Sequence, residues 1–386
     1  MSDRPLKIAY LCDITPLDPN LYSGGNARMY QALQRHGAEV TILSNSWHTA
    51  EPLRRLMHAL PEALNLRLRW RLHLLLGRLI ARGVRRDLAK GDYDALFCAY
   101  SIQSLAGLGP VDTLPVVFTT DATPTTYKQS TVGQSFGSYL SASRYLDPWI
   151  ARREKRILGD LDLMLCPTEW LQSGIKEAFD ISGEQVQVLP WGANIDNVSS
   201  PKFETSLNAD QAIELLFVGR DWFAKGGPIA LEVLAELRAR GIKAALTIVG
   251  CSPEGIEHSD GVTIIPQLDK SKPDDMAQFQ TLFLNAHFLI NPSFESFGFA
   301  YCEASAYGLP ALAFRVGGVP VRDGVNGHAL PLGSQATDFA DVIAEYVANP
   351  SAHTALRKKS RTEYETRLNW DVWGQAVVAQ IRELKQ

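Results

Sequence analysis

The sequence predicts two doubly wound α/β domains, because two sets of short apolar, β-branched runs alternate with helical patterns and a polar stretch parts the sets. The first set is Leu6–Asp13, Glu39–Ser44, Tyr93–Tyr100, Leu114–Thr120, Leu161–Pro167 and Val186–Pro190. The second is Ile213–Gly219, Lys243–Gly250, Gly261–Pro266, Ala286–Pro292, Ala311–Val316 and His328–Pro331. Near-continuous hydrophobicity marks parallel strands covered on both faces, and right-handed crossovers then make each half Rossmann-like. A length of 386 residues is long for one such domain and natural for two. Gly192–Ala209, rich in Asn, Ser and Pro without apolar periodicity, reads as the linker. The expected division is residues 1–195, 196–368, and a C-terminal helix over 369–386 that returns to pack on the N-terminal domain. Ligands of such sheets bind at the carboxyl ends of the strands, here in a cleft that the two domains face.

Composition supports an ordinary globular protein: 46% hydrophobic, 21% charged, formal net charge −4. Cys12, Cys98, Cys166, Cys251 and Cys302 are odd in number and far apart, which fits small buried hydrophobes in a reducing compartment and neither a disulfide framework nor a metal site. The N-terminus enters one short strand, too brief for a signal-peptide core or a membrane span, so a cytoplasmic location is expected. One segment departs from the average. Residues 52–90 carry Arg54, Arg55, Arg67, Arg69, Arg71, Arg78, Arg82, Arg85, Arg86 and Lys90 against Glu62 and Asp87, a local excess of +8 woven among Leu and Trp70. Basic amphipathic helices of this kind can lie on anionic membrane surfaces, which would make the protein peripheral on the inner face; the plainer reading is a solvated basic face. No nucleic-acid partner is implied.

The most specific stretch runs from Asn291 to Pro310: a strand ends at Pro292, a Gly-containing loop follows, and helix formers from Ala300 to Tyr307 are closed by Gly308 and Pro310. Glu295 falls in the loop and Glu303 inside the helix. These residues resemble the retaining glycosyltransferases of family 4, whose GT-B fold carries an acidic pair separated by seven residues. Further matches occur in family order over nearly the whole chain. Arg220 and Lys225 resemble the family's diphosphate-binding pair, and Ser23-Gly24-Gly25 its N-terminal glycine loop. Gly317-Gly318 with Asp323–Gly327 is similar to the usual sequel, and Pro190–Asp196 to the domain hinge.

The resemblance implies a GT-B fold and transfer of a hexose from a nucleoside diphosphate sugar to a glycan or lipid-linked acceptor. Breaking the sugar–phosphate bond builds negative charge on the leaving diphosphate, and fixed cations aimed there are the main catalytic lever. Arg220 can fork onto two oxygens and Lys225 supplies a point charge. Backbone amides of Gly24 and Gly25, opening a helix, add a third donor set. By the family's pattern Glu303 receives the ribose diol and Glu295 contacts hydroxyls of the transferred sugar, beside the backbone amides of Phe297, Gly298 and Phe299. Gln267–Lys270, after the third strand of the second domain, is expected near the base.

Asp121 closes a strand in the first domain where many relatives carry His; it is a candidate to orient a sugar hydroxyl or the acceptor. No cofactor and no metal are implied. Asp160-Leu-Asp162 and Asp92-Tyr-Asp94 spell Asp-x-Asp, but both precede apolar strands and read as helix-to-strand turns. Gly133-Gln-Ser-Phe-Gly137 spells a hydrolase nucleophile elbow, yet Tyr127–Val132 is a poor strand to precede one. The competing reading is a transferase-like module that binds a nucleotide sugar, or stabilises a partner enzyme, without turnover. Assembly of cell-envelope or surface polysaccharide is the expected setting.

Overall fold

The computed structural model describes residues 4–18, 21–111, 114–130, 133, 145–181, 183–196, 198, 203, 207, 211–256 and 260–385. The chain divides into two compact units: Met1–Trp191 with Trp370–Gln386, and Gly192–Asn369.

Unit 1 is built on a parallel sheet of strands β1 (Leu6–Leu11), β2 (Ala38–Ile42), β3 (Ala95–Ala99), β4 (Val116–Thr119), β5 (Leu163–Cys166) and β6 (Val186–Val188), in the order β2-β1-β3-β4-β5-β6. Unit 2 holds β7 (Ile213–Val218), β8 (Ala244–Val249), β9 (Val262–Ile265), β10 (Phe288–Ile290), β11 (Ala311–Phe314) and β12 (Gly327–Leu330), in the order β12-β11-β10-β7-β8-β9. Every pairing is parallel. All twelve strands fall within or one residue from the apolar runs, and burial shows why those runs are continuous. Every residue of the central strands β3, β4, β5 and β10 is buried, whereas edge strand β2 alternates between buried or half-buried and exposed positions.

Helix α1 (Gly25–Arg35) lies between β1 and β2, and α2 (Glu51–His58), α3 (Glu62–Leu75) and α4 (Gly77–Leu88) lie between β2 and β3. Helix α4 turns Ile80, Ala81, Val84 and Leu88 to the core at helical spacing and leaves Arg78, Arg82, Arg85 and Arg86 exposed. After β4 come α5 (Pro124–Gln129), capped by the Thr123 hydroxyl, and α6 (Asp147–Gly159), then α7 (Glu169–Phe179). Tyr127–Gln129 of the segment before Gly133 is thus helix and not strand, while 131–132 and 134–137 lie outside the described residues. Unit 2 places α8 (Gly227–Ala239), α9 (Pro273–Asn285), α10 (Phe299–Ala306), α11 (Ala336–Ala348) and α12 (Pro350–Thr366) around its sheet.

The final helix, α13 (Trp370–Leu384), belongs to unit 1. It packs on α1 through Gly374, where a Cβ would stand 2.9 Å from the Ala32 carbonyl oxygen, and Arg35 pairs with Asp371 at 3.0 Å. Trp373 is fully buried against Phe97 of β3, with ring centroids 5.9 Å apart. Among the described residues no helix is long and apolar enough to cross a membrane.

Candidate functional site

In a doubly wound sheet, chain order reverses at one point, and ligands bind in the crevice outside the strand ends there. In unit 2 the chain runs β7, β8, β9 to one side and then returns to place β10 on the other side of β7. The crevice therefore opens outside β7 and β10. The two loops that leave these strands carry Arg220–Lys225 and Asn291–Glu295, the second opening the most specific stretch of the sequence.

Asn291 holds the two strand ends together. Its Oδ1 accepts from the Val218 N–H at 3.1 Å and its Nδ2 donates to the Val218 carbonyl at 2.6 Å. Glycines then let the chains approach. A Cβ on Gly219 would stand 2.6 Å from Lys225 Cγ, and one on Gly226, whose φ is +78°, would stand 2.1 Å from the Pro292 carbonyl oxygen. Only glycine combines that backbone conformation with that approach. Lys225 is thereby laid across the crevice, and its Nζ donates to Glu295 Oε1, joining two predicted site residues 70 positions apart. Ser293 also donates to Glu295 Oε1, at 3.0 Å, and lies 3.1 Å from the Tyr301 hydroxyl. Tyr301 is anchored on the Asn291 carbonyl at 2.6 Å. Burial drives that phenol well above the usual tyrosine range, with the Glu295 charge adding to the shift. Arg220 is exposed on the same loop as Lys225 and makes no hydrogen bond or ion pair with any described residue.

Helix α10 begins behind this loop. Gly298, at φ +97°, is its N-cap, and a Cβ there would meet the Tyr301 ring at 2.7 Å. Phe297 is buried and packs edge-on against Phe299 at 5.2 Å, so its side chain serves the core and a ligand would meet only its backbone. Glu303 is 4% exposed and its Oε1 accepts from Lys270 Nζ at 2.5 Å. The Lys270 ammonium also stands 4.3 Å over the Phe279 ring. The segment expected near the base thus reaches the carboxylate expected at the ribose.

Unit 1 reverses between β1 and β3. Outside those ends lie Gly24, the left-handed N-cap of α1 at φ +86°, and Gly25, its first residue, both buried. Asp121 is half-buried in the bend that follows β4. Burial first, and then the charge of Asp121, push the Tyr100 phenol well above its usual range. Sequence reasoning missed Asp13 here, which collects Tyr22, Ser101 and Gln103 around its carboxylate. The only available signal was an acid at the carboxyl end of the first strand. The Asp-x-Asp pairs have structural partners: Asp162 accepts from the Val116 N–H at 2.8 Å, and Asp94 is paired with Arg4 at 2.6 Å and with Lys385.

Two parallel six-stranded sheets, each with a polar cluster at its reversal point, define a two-domain α/β protein of the GT-B class. Comparison with known proteins agrees. The family described as "Glycosyltransferase Family 4" matches residues 26–197, and that described as "Glycosyl transferases group 1" matches residues 212–349. The chain belongs to the family 4 glycosyltransferases. A D-inositol 3-phosphate glycosyltransferase of Mycolicibacterium paratuberculosis is 32% identical over 241 residues, covering 59% of this chain and 54% of that protein. One from Corynebacterium jeikeium is 24% identical over 60% of this chain and 59% of its own length. The chain matches little more than half the length of these relatives. Among solved structures, Anabaena HepE in complex with UDP superposes with a TM-score of 0.65 at 16% identity, covering 98% of this chain and all of that one. WaaG, a glycosyltransferase involved in lipopolysaccharide biosynthesis, gives 0.57 at 16% identity over 97% and 98%. At such identities these two likenesses show the fold.

Proposed function

We propose that the protein transfers a hexose from a nucleoside diphosphate sugar to a glycan or lipid-linked acceptor, with retention and without a metal, in cell-envelope or surface-polysaccharide synthesis. The observation that carries this reading is the meeting of Lys225 and Glu295 at the reversal point of the second sheet, on the loop that also presents Arg220. Side-chain cations fixed where a diphosphate leaves supply the charge stabilisation that the chemistry demands. Glu295 does two things in this scheme. It holds the ammonium extended across the crevice, and it offers its second oxygen to hydroxyls of the transferred sugar. Glu303 receives the ribose diol. The complex of HepE with UDP lends the nucleotide part of this reading its support. The names of the curated relatives, D-inositol 3-phosphate glycosyltransferases, support glycosyl transfer, in their case to a small phosphorylated polyol.

Incubation with a panel of nucleoside diphosphate sugars tests the proposal. Release of nucleoside diphosphate that depends on acceptor supports it; thermal stabilisation by a donor without any release would show a binding module instead. Glu303→Ala is expected to weaken nucleotide binding about tenfold or more, since a charged acceptor of two hydroxyls is lost. Calorimetry that finds equal affinity for the variant removes Glu303 from the site.

Residues 52–90 are proposed to touch an anionic membrane surface. Leu53, Leu56, Leu60, Leu68 and Leu75 of this segment are exposed beside exposed Arg55, Arg78 and Arg82, the amphipathic combination that binds such surfaces. Replacing those three arginines by Gln should lower the partition coefficient onto phosphatidylglycerol vesicles, read by sedimentation, by about 10²-fold at low salt, at about 1 kcal/mol per charge. Equal sedimentation of variant and parent would discard the membrane contact.

A further inference from the structure

The crevice at the reversal point of the first sheet is built around a carboxylate that the proposed donor chemistry does not use. The Asp13 side chain is 8% exposed. Its Oδ1 accepts from the Tyr22 hydroxyl at 3.0 Å and from the Ser101 hydroxyl. Its Oδ2 accepts from the Gln103 amide at 3.1 Å and faces the Arg69 guanidinium at 3.6 Å. The Asp13 N–H in turn donates to Ser101 Oγ at 3.2 Å. The end of β1, the loop that opens α1, the loop after β3 and helix α3 therefore meet on one buried group.

The loop held by that group is strained. Tyr22 (φ 51°, ψ 39°) and Ser23 (φ 53°, ψ 26°) are two successive non-glycine residues in the left-handed region, and Tyr100 across from them has φ 61°. Bulky side chains occupy this region only where the surroundings enforce it, and such strain gathers at functional sites. The enforcing contacts are visible. The Tyr22 and Tyr100 rings stack at 4.1 Å with 7° between their planes, and the Tyr22 phenol is pinned to Asp13. The strained pair leads directly into Gly24 and the first amides of α1.

We propose that Asp13 is a positioning residue: through the Tyr22 hydroxyl it holds Leu21–Gly24 on the left-handed path that aims the Gly24 and Gly25 amides. The geometry stands by itself; its consequence for turnover rests on the glycosyl-transfer reading above. Asp13 spends both oxygens on Tyr22, Ser101 and Gln103 and its side chain is 8% exposed, so the role assigned to it involves no direct contact with substrate. Its action reaches the reaction through the loop.

Tyr22→Phe keeps the ring and its stack while removing the phenol. It is expected to lower kcat about tenfold, as small misplacements of a reactive loop do, with donor KM unchanged within about twofold. Backbone amides of Gly24–Ala27, followed by hydrogen exchange and mass spectrometry, should exchange about tenfold faster than in the parent. Asp13→Asn should reproduce both effects, and the double variant should be no worse than the more severe single one, because both act through one bond. Adding Ser23→Gly to Tyr22→Phe should restore much of the kcat, since glycine adopts the left-handed conformation without strain. Parental exchange rates in Tyr22→Phe, or losses that simply multiply in the double variant, would overturn the proposal. If Asp13→Asn fails to fold, the Tyr22 variants decide. If the parent releases no nucleoside diphosphate with any donor and acceptor, the transfer reading falls, and hydrogen exchange alone still decides whether Asp13 positions the loop.

Discussion

Lys225→Ala is expected to lower turnover by about 10²–10³-fold, the usual cost of removing one fixed group that stabilises developing negative charge. Two effects combine in that number. The variant removes a positive charge from beside the leaving diphosphate. It also leaves Glu295, 15% exposed at its side chain, without the ammonium that balances it, so the carboxylate can turn toward solvent and abandon the sugar. The second effect can be isolated. Lys225→Met with Glu295→Gln removes both charges and preserves the approximate volumes, so the crevice keeps its packing without an unpaired ion. If Lys225 serves only as the counterion of Glu295, this pair turns over no more slowly than Glu295→Gln alone; if it serves the diphosphate, the pair is slower than Glu295→Gln by a further factor of about ten or more. Steady-state release of nucleoside diphosphate measures all of these proteins, and an unchanged rate in Lys225→Ala takes the residue out of the mechanism.

That Lys225 and Glu295 could be named before their contact was visible reflects how the fold writes its sites. Parallel strands buried on both faces leave continuous apolar runs, so the ends of β7 and β10 were readable, and each candidate site loop is a contiguous stretch with unusual residues just past such an end. Their adjacency follows from the reversal of strand order between β7 and β10. The unit 1 cluster was closed to the same reasoning. Asp13, Tyr22, Arg69, Ser101 and Gln103 come from four separate segments, and none stands in a pattern. The left-handed turn at Tyr22 and Ser23 was also hidden, because tertiary contacts and not a Gly or Asn impose it. The basic segment shows a third case: counting charges treated its arginines alike, yet Arg69 turns inward to Asp13 while Arg55, Arg78 and Arg82 stay exposed. Position in the sequence predicts Lys270 near the base, but its grip on Glu303 depends on the β9–α9 loop folding toward α10, which no sequence pattern shows.

Helix α6 hides its most consequential residue within the run Arg152-Arg-Glu-Lys-Arg156, which reads as a solvated face. Helical spacing places Glu154 with Ile150, Ile157 and Leu158, and it is fully buried there. Oε2 accepts from the Thr125 N–H at 3.2 Å, while Oε1 has no hydrogen-bond partner among the described residues. Burial pushes the carboxyl up to about 7, against the Thr125 hydrogen bonds that pull it down. An acid raised in the folded state binds more protons folded than unfolded between its ordinary value and about 7. Stability is therefore undiminished below roughly pH 4.5, declines as pH rises through this window, and levels off above about 7, a loss of about 3 kcal/mol. Glu154→Gln keeps the shape and an acceptor for Thr125 but cannot ionise. Its melting temperature should match the parent near pH 4.5 and exceed it by roughly 5–10 °C at pH 8 for a unit of this size. His73, His287 and His353, which burial holds down to about 4, weaken the fold as pH falls from about 6.5 toward 4. They are common to both proteins and cancel in the difference. Thermal unfolding of the pair across pH 4.5–8 decides the matter: a gap that does not grow with pH means that Glu154 is ionised inside the fold, and its burial has some compensation other than a proton.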